Sequence, residues 1–125
     1  RGLGEVGDFV ALEVNMRPGG GFTPDMINFA HNISVYKIWA DMVAFDYRTT
    51  PDPHDDSYCV FAGRRDNVRY VLDHDAMLEK YKGAIMMSPH IAQALSGAMG
   101  DQAYIARFRT AEERDAFLFD ACNRA

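Results

Sequence analysis

The chain has 125 residues, 48% of them hydrophobic, 12% aromatic and 25% charged, a profile that excludes an intrinsically disordered segment and fits one globular domain with its own core. Eighteen acidic side chains against thirteen Lys plus Arg leave a formal charge of -5, with no run of like charge, so the basic stripe that a nucleic-acid partner requires is missing. No apolar stretch approaches the roughly 20 residues needed to cross a bilayer, and no secretion signal opens the sequence, which makes the expected location cytoplasmic, without a membrane partner.

The first eight residues, Arg1 to Asp8, hold three glycines and no initiator Met, and are expected to be a turn at the start of a fragment. From Phe9 to Met16 the residues alternate, with Val10, Leu12, Val14 and Met16 on one side and Phe9, Ala11, Glu13 and Asn15 on the other, the pattern of a half-buried strand. Arg17-Pro18-Gly19-Gly20-Gly21-Phe22 cannot extend that strand and reads as a loop. Thr23-Pro24-Asp25 then has the form of a helix start, with a hydroxyl cap, a proline in the first turn and an acid near the positive helix end. Ser34 offers a second cap, and Val35, Ile38, Trp39, Met42 and Val43 follow as an apolar stripe ending near Phe45, with Trp39 expected in the core.

The polar stretch from Thr49 to Asp56 contains two prolines and is expected to be a linker, with His54-Asp55-Asp56 as a solvated cluster. Tyr58–Gly63 and Val68–Leu72 are β-rich runs around a polar turn, which predicts a hairpin; Arg64 and Arg65 at its tip are either an exposed turn or a contact for an anionic substrate tail. Asp73 or Asp75 caps a short helix through Tyr81, closed by Gly83. Ala84–Met87 is expected to be a strand, Pro89–Leu95 a turn or helix, Gly97 and Gly100 loop positions, and Tyr104–Phe108 another strand. Thr110 and Glu113 have the spacing of a capping box ahead of a final helix. The class is therefore α+β, divided into 1–48, a linker at 49–57 and a small unit at 58–125. Cys59 and Cys122 are expected as buried, reduced thiols, and no two of the four histidines have metal-binding helical spacing.

The run Glu13-Val14-Asn15-Met16-Arg17 followed by three glycines carries the most chemistry. A spacing of two on a strand sets a carboxylate beside an amide oxygen, both hard donors suited to magnesium, while a guanidinium and glycine N–H groups suit oxyanions. Spacing alone leaves a plain solvated strand face open as the alternative. Ala11 to Met42, however, resembles the end of an ATP-grasp domain, and the part from Tyr58 onward is similar in layout to the region that follows this domain in the biotin-carboxylase and carbamoyl-phosphate-synthase branch. The resemblance implies that Glu13 and Asn15 are magnesium ligands, that Arg17 steadies an acyl phosphate, and that Gly19, Gly20 and Gly21 form the phosphate and substrate loop. It implies a carboxylate-amine ligase using ATP, Mg2+ and a small carboxylic acid. The lysines, hinge and lid with which the family grips ATP have no counterpart here, so the stretch is expected to be inactive alone; the rival expectation is a non-catalytic interaction module that forms a homo-oligomer.

Overall fold

A computed structural model describes residues 17, 19–52 and 55–125. Among them, in chain order, are α1 (Thr23–His31), α2 (Val35–Phe45), β1 (Tyr58–Arg64), α3 (His74–Lys80), β2 (Ile85–Met87), α4 (Gln93–Met99), β3 (Gln102–Phe108) and α5 (Ala111–Cys122). Five helices and one antiparallel sheet make the fold α+β. The strand expected at Phe9–Met16 lies outside the described residues.

The sheet has the order β1-β3-β2, and β3 is antiparallel to both neighbours. From Ala103 to Ala106 every side chain of β3 is buried, which is why this strand reads as a near-continuous apolar run. On one face Tyr104, Ala106 and Phe108 join Ala62 of β1 and pack against Phe117 and Ala121 of α5 and Met77 of α3. Edge-on contacts reinforce that core: Tyr81 meets the Phe117 ring with centroids 4.9 Å apart. On the other face α1 lies across β1 and β3, and Phe22, just before it, stacks on Phe61 at 6.1 Å.

Local signals set most helix starts. The Ser34 hydroxyl accepts from the Lys37 N–H at the head of α2, and the Asp73 carboxylate accepts from the Ala76 N–H at the head of α3. Thr110 and Glu113 form the reciprocal capping box ahead of α5. In α1 the expected cap is displaced: Thr23 is already helical, Phe22 is the cap residue without a side-chain bond, and Pro24 is buried in the first turn. Packing of Phe22 on Phe61 fixes this entry in place of a hydroxyl.

Several expectations are corrected. The run from Tyr58 forms β1, but pairs with β3 (Tyr58 opposite Phe108, Arg64 opposite Gln102) rather than with Val68–Leu72. That second run makes only an isolated bridge, Tyr70 to Arg124, because β3 offers a strand buried on both faces where the local turn offers none. Gly97 lies inside α4. Trp39 is 43% exposed, on an α2 face that also presents Tyr36, Met42, Val43 and Phe45, since the main element contact of α2 is α1 alone. Of the two thiols, Cys59 is half-buried and Cys122 exposed, and both are free.

Both ends of the 49–57 segment are tied down. Asp41, 5% exposed, accepts from the Thr49 N–H at 3.0 Å, from the Thr49 hydroxyl and from Lys37 Nζ at 2.9 Å. At the other end Asp55 pairs with Arg107 and Arg109, and the Ser57 N–H donates to the Ala30 carbonyl at 3.1 Å. Asp55 is thus an ion-pair anchor rather than part of a solvated cluster. Partial burial pushes its carboxyl upward in pKa, but hydrogen bonding from Arg109 and the charges of Arg107 and Arg109 outweigh this and hold it low.

The hydrogen bonds from Thr49, and then that from Lys37, hold the Asp41 carboxyl down at about 2, below its ordinary 3.8. A lowered acid contributes stability that is complete above the unfolded-state value and is lost as pH falls through the folded one. The difference in urea-unfolding stability between the wild type and Asp41→Asn is therefore expected to be largest above pH 4 and to shrink between pH 4 and pH 2. An equal difference at pH 5 and pH 2.5 contradicts the assignment.

Candidate functional site

Of the residues implicated by the Glu13 to Gly21 run, Glu13 and Asn15 lie outside the described residues. Arg17, Gly19, Gly20 and Gly21 are exposed, immediately ahead of α1. Gly21 has φ 60°, the left-handed region in which glycine is favoured, whereas a side chain at Gly20 would meet nothing within 4 Å. Only Gly21 therefore needs to be glycine for backbone reasons. The loop is pinned on its C-terminal side by the Phe22–Phe61 stack, and its tip faces α4, with Met99 Cε 3.9 Å from the position a Cβ would take on Gly21. An exposed guanidinium beside a fixed turn of glycines can meet oxyanions while its backbone stays in place.

A second polar feature lies at the C-terminal end of β1. There a cleft of about 440 Å³ opens between the 64–74 stretch and the start of β3, with Arg65, Arg69, His74 and Tyr104 among its walls. Its floor is organised by Arg64, 4% exposed. Nε of Arg64 donates to the Ala121 carbonyl at 2.7 Å, one terminal nitrogen to Leu72 O at 2.7 Å and the other to Asp120 O at 2.9 Å. The guanidinium also lies 4.3 Å from the centre of the Tyr70 ring. Arg64 thus closes the last turn of α5, whose terminal carbonyls have no helical partners. It is a buried clasp and not the exposed hairpin tip expected at this position. Arg65 is held in the same manner by the Ser96 and Gly97 carbonyls of α4.

His74 Nδ1 lies 2.8 Å from the Tyr104 hydroxyl, which is itself buried. Burial pushes the Tyr104 pKa up, with Arg64 opposing, so the phenol keeps its proton. If that phenol donates to Nδ1, the neutral imidazole carries its own N–H on Nε2. Among the described residues no group of three His, Cys, Asp or Glu side chains comes close enough to hold a metal ion.

No known family model, curated protein or solved structure matches this chain.

Sequence reasoning missed Arg69, His74 and Tyr104 as neighbours, because they meet through a strand pairing between distant parts of the chain. For Arg64 a signal was present: it continues the Val60, Ala62 alternation of β1 and so falls on the inward face. Replacing Arg64 by Lys keeps the charge but removes the planar fork, leaving at least two of its three carbonyls without that partner. The variant is expected to lose about 2–4 kcal/mol of stability in urea unfolding. A loss below about 0.5 kcal/mol contradicts the clasp role.

Proposed function

We propose that this chain is the C-terminal portion of an ATP-grasp carboxylate-amine ligase, of the biotin-carboxylase and carbamoyl-phosphate-synthase branch, contributing part of a magnesium-ATP and acyl-phosphate site. The observation that carries the proposal is the run Glu13-Val14-Asn15-Met16-Arg17 followed by glycines, with Arg17 and Gly19 to Gly21 exposed and a short helix pair, α1 and α2, directly behind them. An α+β unit follows the helix pair, in the order the resemblance implies.

The donor set fits the metal chemically: the Glu13 carboxylate and the Asn15 amide oxygen are hard ligands of the kind Mg2+ takes alongside nucleotide phosphates. When bound with ATP, the metal would supply charge neutralisation to phosphoryl transfer from the γ-phosphate to a small carboxylic acid. In this reading Arg17 binds and orients the acyl phosphate through charge-assisted hydrogen bonds, and the Gly19–Gly21 backbone offers N–H groups at close range. The remainder of the nucleotide grip comes from outside these 125 residues, so the chain by itself binds without turning ATP over.

Paramagnetic Mn2+ added with ADP is expected to broaden the amide signals of residues 13–17 first, and the broadening should be lost in Glu13→Gln. Magnesium-dependent phosphate release by the 125-residue chain, or broadening indifferent to Glu13→Gln, overturns the proposal.

One observation favours a second reading, a non-catalytic interaction module. Tyr36, Trp39, Met42, Val43, Phe45 and Tyr47 are all more than 40% exposed on and just after α2, a concentration of large apolar side chains that a monomer seldom presents to water. In this reading α2 meets α2 of a second copy. Multi-angle scattering is then expected to give a dimer that Val43→Lys dissociates; a monomer at every concentration eliminates this alternative.

A further inference from the structure

The cleft at the end of β1 has an unusual charge balance. Three guanidiniums, those of Arg64, Arg65 and Arg69, line it with two carboxylates, Asp66 and Asp73, in a chain whose formal charge is -5. Asp66 lies 3.2 Å from His90 Nε2, and Asp73 accepts the Ala76 N–H at 2.8 Å; the guanidiniums outnumber the carboxylates of the cleft by one. Among the described residues none of the three arginines lies within ion-pair distance of an acid. Arg64 and Arg65 donate instead to backbone carbonyls, and the charge of Arg64 is only partly offset, at longer range, by the Asp120 carboxylate, whose pKa it helps to lower. Like charges gathered round a recess raise one another's energy, and an anion in the recess relieves them.

The arrangement also has the division of labour of a binding site. Arg64 and Arg65 are immobilised and supply a fixed field. Arg69 is exposed, while its backbone is secured by the Ala125 N–H donating to the Arg69 carbonyl at 3.1 Å, so its side chain can close on a ligand. If the Tyr104 phenol donates to Nδ1, His74 carries an N–H on Nε2 that can donate to a ligand. At about 440 Å³ the cleft admits a phosphate and a few further heavy atoms.

We propose that this cleft binds a doubly charged phosphate group, free or at the end of a small ester, through the side chains of Arg69 and His74 in the field of Arg64 and Arg65. The Arg69 fork can grip two phosphate oxygens at once, and a phosphate keeps a further oxygen for His74. None of the residues named belongs to the Glu13 to Gly21 run, so the inference stands apart from the ligase proposal.

Amide NMR titrations of the 125-residue chain, at constant pH and ionic strength, test it. Inorganic phosphate and glycerol phosphate are expected to give saturable shifts centred on Arg65–His74 and Gln102–Tyr104. Tighter binding of glycerol phosphate marks a phosphate ester as the natural ligand, and equal binding marks free phosphate; both support the site. Arg69→Glu is expected to weaken binding at least tenfold, and Arg48→Glu, remote from the cleft, to change it less than about twofold. The proposal fails if chloride at matched ionic strength reproduces the shifts, if succinate binds as tightly as phosphate, if no shift saturates, or if Arg69→Glu binds like the wild type while its thermal unfolding is unchanged.

Discussion

Burial of β3 on both faces is the constraint from which most of the described structure follows. A strand whose Ala103, Tyr104, Ile105 and Ala106 are all shielded needs a partner on each edge and a layer above and below. Those demands recruit β1 and β2 as edges, α5 and α3 on one side and α1 on the other. Each fully buried large side chain contributes roughly 1.5–3 kcal/mol relative to exposure, so Tyr104, Ile105, Phe117 and Met77 together outweigh any single polar contact. The polar contacts choose among arrangements that bury the same side chains. Arg107, just before the end of β3, captures Asp55 and Ser57, and Gln102, at its start, donates to Ser88 and to the Pro89 carbonyl. The strand therefore positions the segments at both of its ends.

Close backbone approach completes that positioning. A Cβ on Gly63 would stand 2.0 Å from the Met99 carbonyl oxygen, and one on Gly100 would stand 2.8 Å from the Arg64 carbonyl, so the turn entering β3 presses directly against the end of β1. Glycine at both positions permits this contact, with Gly100 at φ 90°. Arg64 then bonds to α5 and Leu72 from the same place. Three guanidiniums accumulate at one end of the sheet because two of them are used to satisfy carbonyls at helix ends and neither forms a close ion pair there. A cationic recess is the by-product of that architecture, available to a ligand.

The two proposed oxyanion sites are built on different principles. Around Arg17 and Gly19 to Gly21 the elements are an exposed cation and a turn fixed by the Phe22–Phe61 stack. At the cleft they are a fixed field and one adaptable side chain. The ligase proposal engages the first and is silent on the second. The apolar face of α2 is a third feature, and its exposure follows from the chain path: α2 is bound to α1 and to the Thr49 segment through Asp41, and the sheet that would cover it is occupied by α1.

Much of the local structure was legible in the sequence because it rests on signals a few residues apart. The capping box at Thr110 and Glu113, the caps at Ser34 and Asp73, the 3.6-residue stripe of α2 and the apolar run of β3 each act over one or two turns of chain. The exposed turn of Gly19 to Gly21 was legible in the same way, while Glu13 and Asn15 fall outside the described residues. What covers each surface was a different matter. Periodicity revealed that Trp39 belongs to a stripe but not that the stripe faces water, and β-propensity identified β1 without showing that its partner lies beyond α4 rather than across a four-residue turn. Arg64 looked like a surface charge until its three carbonyl acceptors, two of them more than 50 residues away, were brought to it. Such outcomes depend on which distant segment gains most by burial, and only the assembled fold settles that competition.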